Sequence, residues 1–147
     1  MAAVDVRTEA VIARPRSVVA DFACDPVNAT AWYANITEAR WTSNPPLVVG
    51  STFEFVAEFL GRRLAYTYEV REYTPGERLV MSTARGPFPM RTEYEWRDAG
   101  RGSTLMTLRN VGEPSGFGAV AAPLMAAAMR RANRKDLDRL KELLEAE

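Results

Sequence analysis

The chain has 147 residues, 47% of them hydrophobic and 26% charged, which is typical of a soluble globular protein with one domain of ordinary size and makes a second domain unexpected. Its 19 basic and 19 acidic residues cancel, so no net charge favours nucleic acid or an anionic lipid surface as a partner. It contains no histidine and one cysteine, Cys24, which excludes an intramolecular disulfide, a thiolate-rich or histidine-based metal site and the histidine-dependent nucleophiles.

The first predicted element is a strand. Residues 4 to 13, VDVRTEAVIA, alternate imperfectly between apolar and polar side chains. Charges from Asp5 onward interrupt the apolar core that a secretory signal needs, so we expect the mature domain to start here and the protein to be cytoplasmic. Because no apolar run approaches the roughly 20 residues of a membrane-spanning helix, no membrane insertion is expected.

Two short helices are predicted after this strand. Pro15 fits the first turn of a helix that ends near Asp25 and places Val18, Val19 and Phe22 on one side. The pair Asp25-Pro26 can cap and start a second short helix, PVNATAWYANI, which carries Trp32 and Ile36. Cys24 is interpreted as a small apolar side chain within the first of these helices.

A run of antiparallel hairpins is predicted from about residue 37 to residue 112, where the apolar pattern changes to a period of two. Turn residues separate the strands at Asn44-Pro45-Pro46, Leu60-Gly61, Pro75-Gly76-Glu77, Gly86-Pro87 and Asp98-Ala99-Gly100. With the first strand, this predicts six or seven strands in a bent sheet that has one polar face. Such a sheet needs another element packed against its inner face.

The last third of the chain is predicted to form that element, one long amphipathic helix. After a turn-rich linker at residues 112 to 118, apolar residues recur at three- and four-residue steps, including Leu124, Met125, Leu137, Leu140 and Leu144. The first half of this helix is nearly free of charge, whereas the second half is charged on every face but one. We therefore expect the first half to be buried more fully.

One strand of the predicted sheet has a conspicuous aromatic face. In GPFPMRTEYEW, residues 86 to 96, alternation places Phe88, Met90, Thr92, Tyr94 and Trp96 on one side. This face can be either plain core or the wall of a cavity. The small helix residues Ala121, Ala127, Ala128 and Ala132 leave room for a cavity, although large residues packed against small ones also make tight cores.

The order of these elements, with several short motifs, resembles the START/Bet v 1-like superfamily, in particular its bacterial polyketide cyclase/dehydrase-like branch. The matching residues cover nearly the whole chain and are Ala13-Arg14-Pro15 with Val18 and Phe22, Asp25 with Trp32, Val49-Gly50-Ser51-Thr52-Phe53, Pro75-Gly76-Glu77-Arg78-Leu79, Gly86-Pro87-Phe88-Pro89 and Gly102-Ser103-Thr104. The resemblance implies an α+β helix-grip fold over residues 1–147, a single domain in which a bent antiparallel sheet wraps around the C-terminal helix and encloses a largely apolar cavity.

The candidate ligand-binding residues follow from this implied cavity. Trp32, interpreted as core or cavity wall, and Tyr33, a candidate gate, lie in the second short helix. The other candidates are Phe55, Tyr66, Tyr68, Met81, Thr83, Phe88, Met90, Thr92, Tyr94, Trp96 and Asn110 on the sheet and Leu124, Met125 and Ala128 on the long helix. Buried tyrosine hydroxyls need hydrogen-bond partners, which could be a threonine, water or a ligand.

Few groups suited to acid-base chemistry are predicted inside the cavity. If Met106 and Leu108 face inward, Asn110 does too and Arg109 faces solvent, although Leu105 and Val111 would favour the opposite register. The glutamates at positions 54, 58, 69, 93 and 95 all map to outer faces, so no pair of carboxylates presents itself as an acid and a base.

Three functions remain open at this point. A carrier or sensor of a hydrophobic or aromatic small molecule, such as a lipid, isoprenoid or polyketide, needs only an apolar pocket with a few hydroxyls. A polyketide aromatase/cyclase or dehydratase also needs an acid or base, although holding the substrate in a reactive shape can supply much of its rate. A chaperone-cofactor domain would use an outer surface. We expect no metal, no cofactor, no nucleic acid, and a monomer or weak homodimer.

Overall fold

A seven-stranded antiparallel sheet and a long C-terminal helix make up the fold, as described by a computed structural model that covers residues 4–59, 61–86, 89–113 and 122–147. The strands are β1 (Val4–Ile12), β2 (Ile36–Trp41), β3 (Thr52–Phe59), β4 (Arg62–Thr74), β5 (Arg78–Arg85), β6 (Met90–Asp98) and β7 (Thr104–Gly112). The helices are α1 (Arg16–Cys24), α2 (Ala29–Trp32) and α3 (Ala122–Glu145). This is the predicted helix-grip architecture, with two short helices after the first strand.

The strands follow one another across the sheet in the order β1-β7-β6-β5-β4-β3-β2, so β2 to β7 form consecutive hairpins and β1 closes against β7. The predicted alternation is confirmed, because Phe53 and Phe55 of β3 and Tyr66 and Tyr68 of β4 are all buried. Gly61 and Gly76 turn two of the hairpins with φ values of +76° and +74°, a backbone region that glycine enters without steric cost.

The C-terminal half of α3 is fixed to the sheet through both its apolar stripe and its polar end. Leu137, Leu140 and Leu144 are buried. Arg14 donates to the Leu144 carbonyl over 2.8 Å, and Lys141 donates to the Val11 carbonyl over 2.6 Å. Because these contacts tie the helix to the end of β1, the position of α3 over the sheet is well defined.

Within the described residues, the first half of α3 is buried on one side. Pro123, Leu124 and Ala127 are exposed, whereas Met125 and Met129 are buried. The residues that begin the predicted helix, up to position 121, lie outside the described residues, so the expectation that this half is buried more fully stays a prediction. The charged second half buries a continuous stripe of leucines against the sheet.

The two N-terminal helices lie where they were predicted, but the second is shorter at both ends, because Pro26–Asn28 form a 3-10 turn and α2 ends at Trp32. Asp25 caps the turn that follows α1, because its carboxylate accepts the backbone N–H of Val27 over 3.1 Å. Trp32 closes α2 and is buried, whereas Ile36, predicted to be helical, begins β2. Cys24 is buried and unpaired, as expected for an apolar role. Within the described residues, no helix has the length and apolar character needed to span a bilayer.

Candidate functional site

A cavity of about 120 Å³ lies between the inner face of the sheet and α3. Residues from β2 to β7, from α3 and from the segment after α2 line it: Tyr33, Asn35, Ile36, Phe55, Ala57, Phe59, Leu64, Tyr66, Tyr68, Met81, Met90, Thr92, Asn110, Met125, Met129, Ala132, Asn133 and Asp136. Most of the surface that these residues present is apolar. The volume is below the roughly 300 Å³ at which drug-sized ligand pockets begin, and it is close to the about 150 Å³ that holds one benzene ring.

The wall of the cavity is rich in methionine. Met81, Met90, Met125 and Met129 all line the cavity, although the whole chain has only 6 methionines. An unbranched thioether has several rotatable bonds and adapts to the shape of what it contacts. Four such side chains make this wall more adaptable in shape than a wall of branched side chains would be.

Two tyrosines are hydrogen-bonded to each other at the end of the cavity near α2. The hydroxyls of Tyr33 and Tyr94 lie 2.6 Å apart, and the Trp32 ring packs on Tyr33 with a centroid distance of 4.1 Å. Burial raises the pKa of both tyrosines well above the ordinary value, and for Tyr94 it outweighs the opposing effect of the hydrogen bond with Tyr33. Both hydroxyls therefore stay protonated, and each satisfies part of the other's hydrogen-bonding capacity.

A second polar group lies on the sheet. Thr92 of β6 donates to the side-chain carbonyl of Asn110 on β7 over 2.6 Å, and it also lies 3.5 Å from the Tyr68 hydroxyl. The inward orientation predicted for Asn110 is thereby confirmed. This cluster offers hydroxyl and amide groups to the cavity but carries no charge.

The cavity contains a carboxyl group that the sequence reasoning missed. Asp136 of α3 lines the cavity with only 2% of its surface exposed, and its Oδ1 accepts the backbone N–H of Ala34 over 2.9 Å. Burial raises the pKa of this carboxyl to about 7, against smaller opposing effects of the Ala34 N–H and Lys135. The sequence reasoning missed this aspartate because it considered only the glutamates of the strands, and the cavity wall of the described residues still holds no pair of carboxylates.

Asn133 lies one helical turn before Asp136 and also lines the cavity. Its side chain is 5% exposed, and its amide nitrogen has no hydrogen-bond partner among the described residues. A buried amide donor without a partner is costly, and the cavity is the space in which a partner could be held.

The cavity contains nine of the predicted site residues: Tyr33, Phe55, Tyr66, Tyr68, Met81, Met90, Thr92, Asn110 and Met125. Six others do not line it, and Phe88 falls outside the described residues. Trp32, Tyr94 and Trp96 are buried in the surrounding core, with Tyr94 reaching the site only through its bond to Tyr33.

The remaining three predicted residues, Leu124, Ala128 and Thr83, also lie outside the cavity wall. Leu124 is 67% exposed, because it lies one residue before the inward-facing Met125 and about 100° away around the helix. Ala128 is half-buried but absent from the cavity wall, where Ala132 provides the small side chain instead. Thr83 accepts the backbone N–H of Met90 over 3.0 Å, an interaction between neighbouring strands.

The charged residues predicted to face outward do so. Arg109 forms a two-pronged ion pair with Asp5 of β1, with nitrogen–oxygen distances of 2.9 and 2.6 Å. On the same outer face, Arg78 donates to Glu95 over 2.7 Å and to Glu93 over 3.0 Å. Arg109 therefore cannot polarise a ligand inside the cavity, and the inner surface keeps Asp136 as its one charged group among the described residues.

Comparison with known proteins agrees with this architecture. A family model described as polyketide cyclase/dehydrase and lipid transport matches residues 3–145. A comparison with the curated proteins finds no match.

Among solved structures, a START superfamily protein from Mycobacterium smegmatis is similar with a TM-score of 0.85 and 14% identity over 97% of each chain. A protein from Thermus thermophilus has a TM-score of 0.82 and 20% identity, again over 97% of each chain. The Zhui aromatase/cyclase from Streptomyces sp. R1128 has a TM-score of 0.80 and 13% identity over 98% of this chain and 94% of its own. At these identities the likeness establishes the fold alone.

Proposed function

Because this chain belongs to the polyketide cyclase/dehydrase and lipid transport family, we propose that it binds a hydrophobic or aromatic small molecule between the sheet and α3, as a carrier or sensor. The observation that carries the proposal is the cavity, whose wall combines apolar and aromatic side chains with a few hydroxyl and amide groups. Concave, mostly apolar pockets with few polar groups are the usual sites of small-molecule binding.

The size of the cavity bears on which ligands fit. A volume of about 120 Å³ holds roughly one ring, so a lipid, isoprenoid or polyketide needs additional space. Rotation of Met90, Met125 and Met129 could supply that space at little cost, since methionine tolerates changes in packing better than a branched side chain does. Toluene, a single ring with one methyl group, needs less rearrangement than these larger molecules and is therefore the appropriate first probe.

A matched pair of variants tests the proposed site. Ala132→Phe adds a ring inside the cavity wall, whereas Leu124→Phe adds one on the exposed side of the same helix. Isothermal titration calorimetry should show toluene binding to the wild type and to Leu124→Phe, with loss of at least tenfold in affinity for Ala132→Phe. Circular dichroism checks that both variants are folded. Equal toluene affinity in all three folded proteins would place the binding site elsewhere.

A polyketide cyclase or dehydratase is a second candidate, favoured by one observation. Asp136 provides a buried carboxyl with a pKa of about 7, which suits proton transfer near neutral pH. The described cavity wall contributes no second ionised acid or base, so this candidate ranks below simple binding. Its test is deuterium exchange at the acetyl methyl group of 4-methylacetophenone. A catalytic Asp136 should accelerate this exchange, and Asp136→Asn should abolish the acceleration.

A further inference from the structure

Asn133 and Asp136 form a polar pair on the face of α3 that looks into the cavity. They are three residues apart in one helix, a spacing that places their Cβ atoms about 5 to 6 Å from each other on the same side. Both are almost completely buried, and the Asn133 amide nitrogen has no partner in the described part of the chain. One Asp136 oxygen already accepts the Ala34 N–H, and a carboxylate has further lone pairs to offer.

This pair restricts the charge of what the cavity accepts. Asp136 is the one charged residue of the described cavity wall, because the neighbouring Lys135 is exposed and neither lysine nor arginine lines the cavity. Above pH 7, where Asp136 is ionised, a ligand carboxylate or phosphate would meet a like charge with no cation in the described wall to offset it. The wall therefore selects against anionic ligands such as fatty acids.

Hydrogen bonding distinguishes among the ligands that remain. An ammonium group could pair with Asp136, but it has no lone pair to accept from Asn133. A ketone oxygen could accept from Asn133, but above pH 7, where Asp136 is ionised, it has no proton to donate to the carboxylate. A hydroxyl group both accepts and donates, so a single oxygen satisfies both side chains.

We propose that the ligand is a neutral alcohol or phenol whose hydroxyl lies between Asn133 and Asp136, accepting from the amide nitrogen and donating to the carboxylate. Its apolar body then contacts side chains such as Phe55, Leu64 and Met81. This inference rests on the proposed binding function and names the class of ligand for that same cavity.

Four probes that share a toluene core and differ in one para substituent test the proposal on the wild-type protein: toluene, 4-methylphenol, 4-methylbenzoate and 4-methylbenzylamine. Calorimetric titrations at pH 8 keep the phenol neutral, because its pKa is about 10 as in tyrosine. We expect 4-methylphenol to bind at least tenfold more tightly than toluene and 4-methylbenzoate to bind more weakly than toluene. A phenol affinity no higher than that of toluene, or an amine affinity higher than that of the phenol, would overturn the proposal.

The variant Asn133→Leu removes the amide donor at nearly constant volume. The ratio of 4-methylphenol affinity to toluene affinity, at least tenfold in the wild type, should fall to about one in this variant. Arg109→Ala, on the outer face, serves as the control and should change neither affinity. If toluene itself does not bind the wild type, the proposed function fails; if toluene binds without a preference for the phenol, only the hydroxyl assignment fails. If Asn133→Leu does not fold, the four probes on the wild-type protein still test the hydroxyl assignment.

Discussion

Replacing Asp136 by asparagine should change how stability depends on pH. In the folded protein burial raises the pKa of this carboxyl from 3.8 to about 7, so the folded state holds the proton more tightly than the unfolded chain does. Its contribution to stability is therefore fully present below pH 4 and is lost as the pH rises towards 7. One pKa unit corresponds to about 1.4 kcal/mol, so the whole loss is about 4 kcal/mol, of which about 2 to 3 kcal/mol falls between pH 5 and pH 8.

Urea unfolding of the wild type and Asp136→Asn, followed by circular dichroism at pH 5 and pH 8, measures this contribution. Asparagine can still accept the Ala34 N–H but does not titrate, so the variant should gain about 2 to 3 kcal/mol relative to the wild type on going from pH 5 to pH 8. Groups common to both proteins cancel in the comparison. A difference between the two proteins that stays constant within about 0.5 kcal/mol across this range would refute the reasoning.

Three further predictions concern packing, thiol reactivity and the tyrosine pair. Leu140 is buried and Leu124 is exposed, so Leu140→Ala should lower the free energy of unfolding by about 2 to 5 kcal/mol, whereas Leu124→Ala should change it by less than about 0.5 kcal/mol. Comparable losses for the two variants in urea denaturation would contradict the assigned orientation of α3. Burial raises the pKa of Cys24 to about 12, so iodoacetamide at pH 8 should alkylate the folded protein about a thousandfold more slowly than an ordinary thiol. Labelling in urea is the control, and rapid labelling of the folded protein would disprove the prediction. Tyr33→Phe leaves the Tyr94 hydroxyl without its partner and should lower the free energy of unfolding by about 1 to 3 kcal/mol. Adding Tyr94→Phe to this variant should lower it by less than Tyr94→Phe does alone. Strictly additive losses would argue against a direct hydrogen bond between the two hydroxyls.

The sheet could be predicted from the sequence because its signals are local. Alternating side chains decide which residues of a strand share a face, and glycine-containing turns such as the one at Gly76 separate one strand from the next. Once the inner face was assigned, Phe55, Tyr66 and Tyr68 followed as cavity residues without knowledge of distant contacts.

The helix wall of the cavity was predicted less well. A stripe defined by apolar residues follows Leu137 and Leu140 but passes over polar members of the inner face, which is how Asn133 and Asp136 were missed. Their spacing from Met129 did contain a signal, since steps of four and seven residues keep side chains on one side of a helix. The exact rotation of α3 about its axis depends on tertiary packing, so Leu124 could not be distinguished from Met125 by pattern alone.

Methyl NMR of the protein labelled with [methyl-¹³C]methionine tests the central claim, binding in this cavity, most directly. During a toluene titration the signals of Met81, Met90, Met125 and Met129 should shift, because these residues line the cavity, whereas buried Met106, which does not line it, should hardly move. A coordinated shift of the four cavity signals with saturation would establish the cavity as the binding site. Saturable binding that leaves all four signals unchanged would contradict the account.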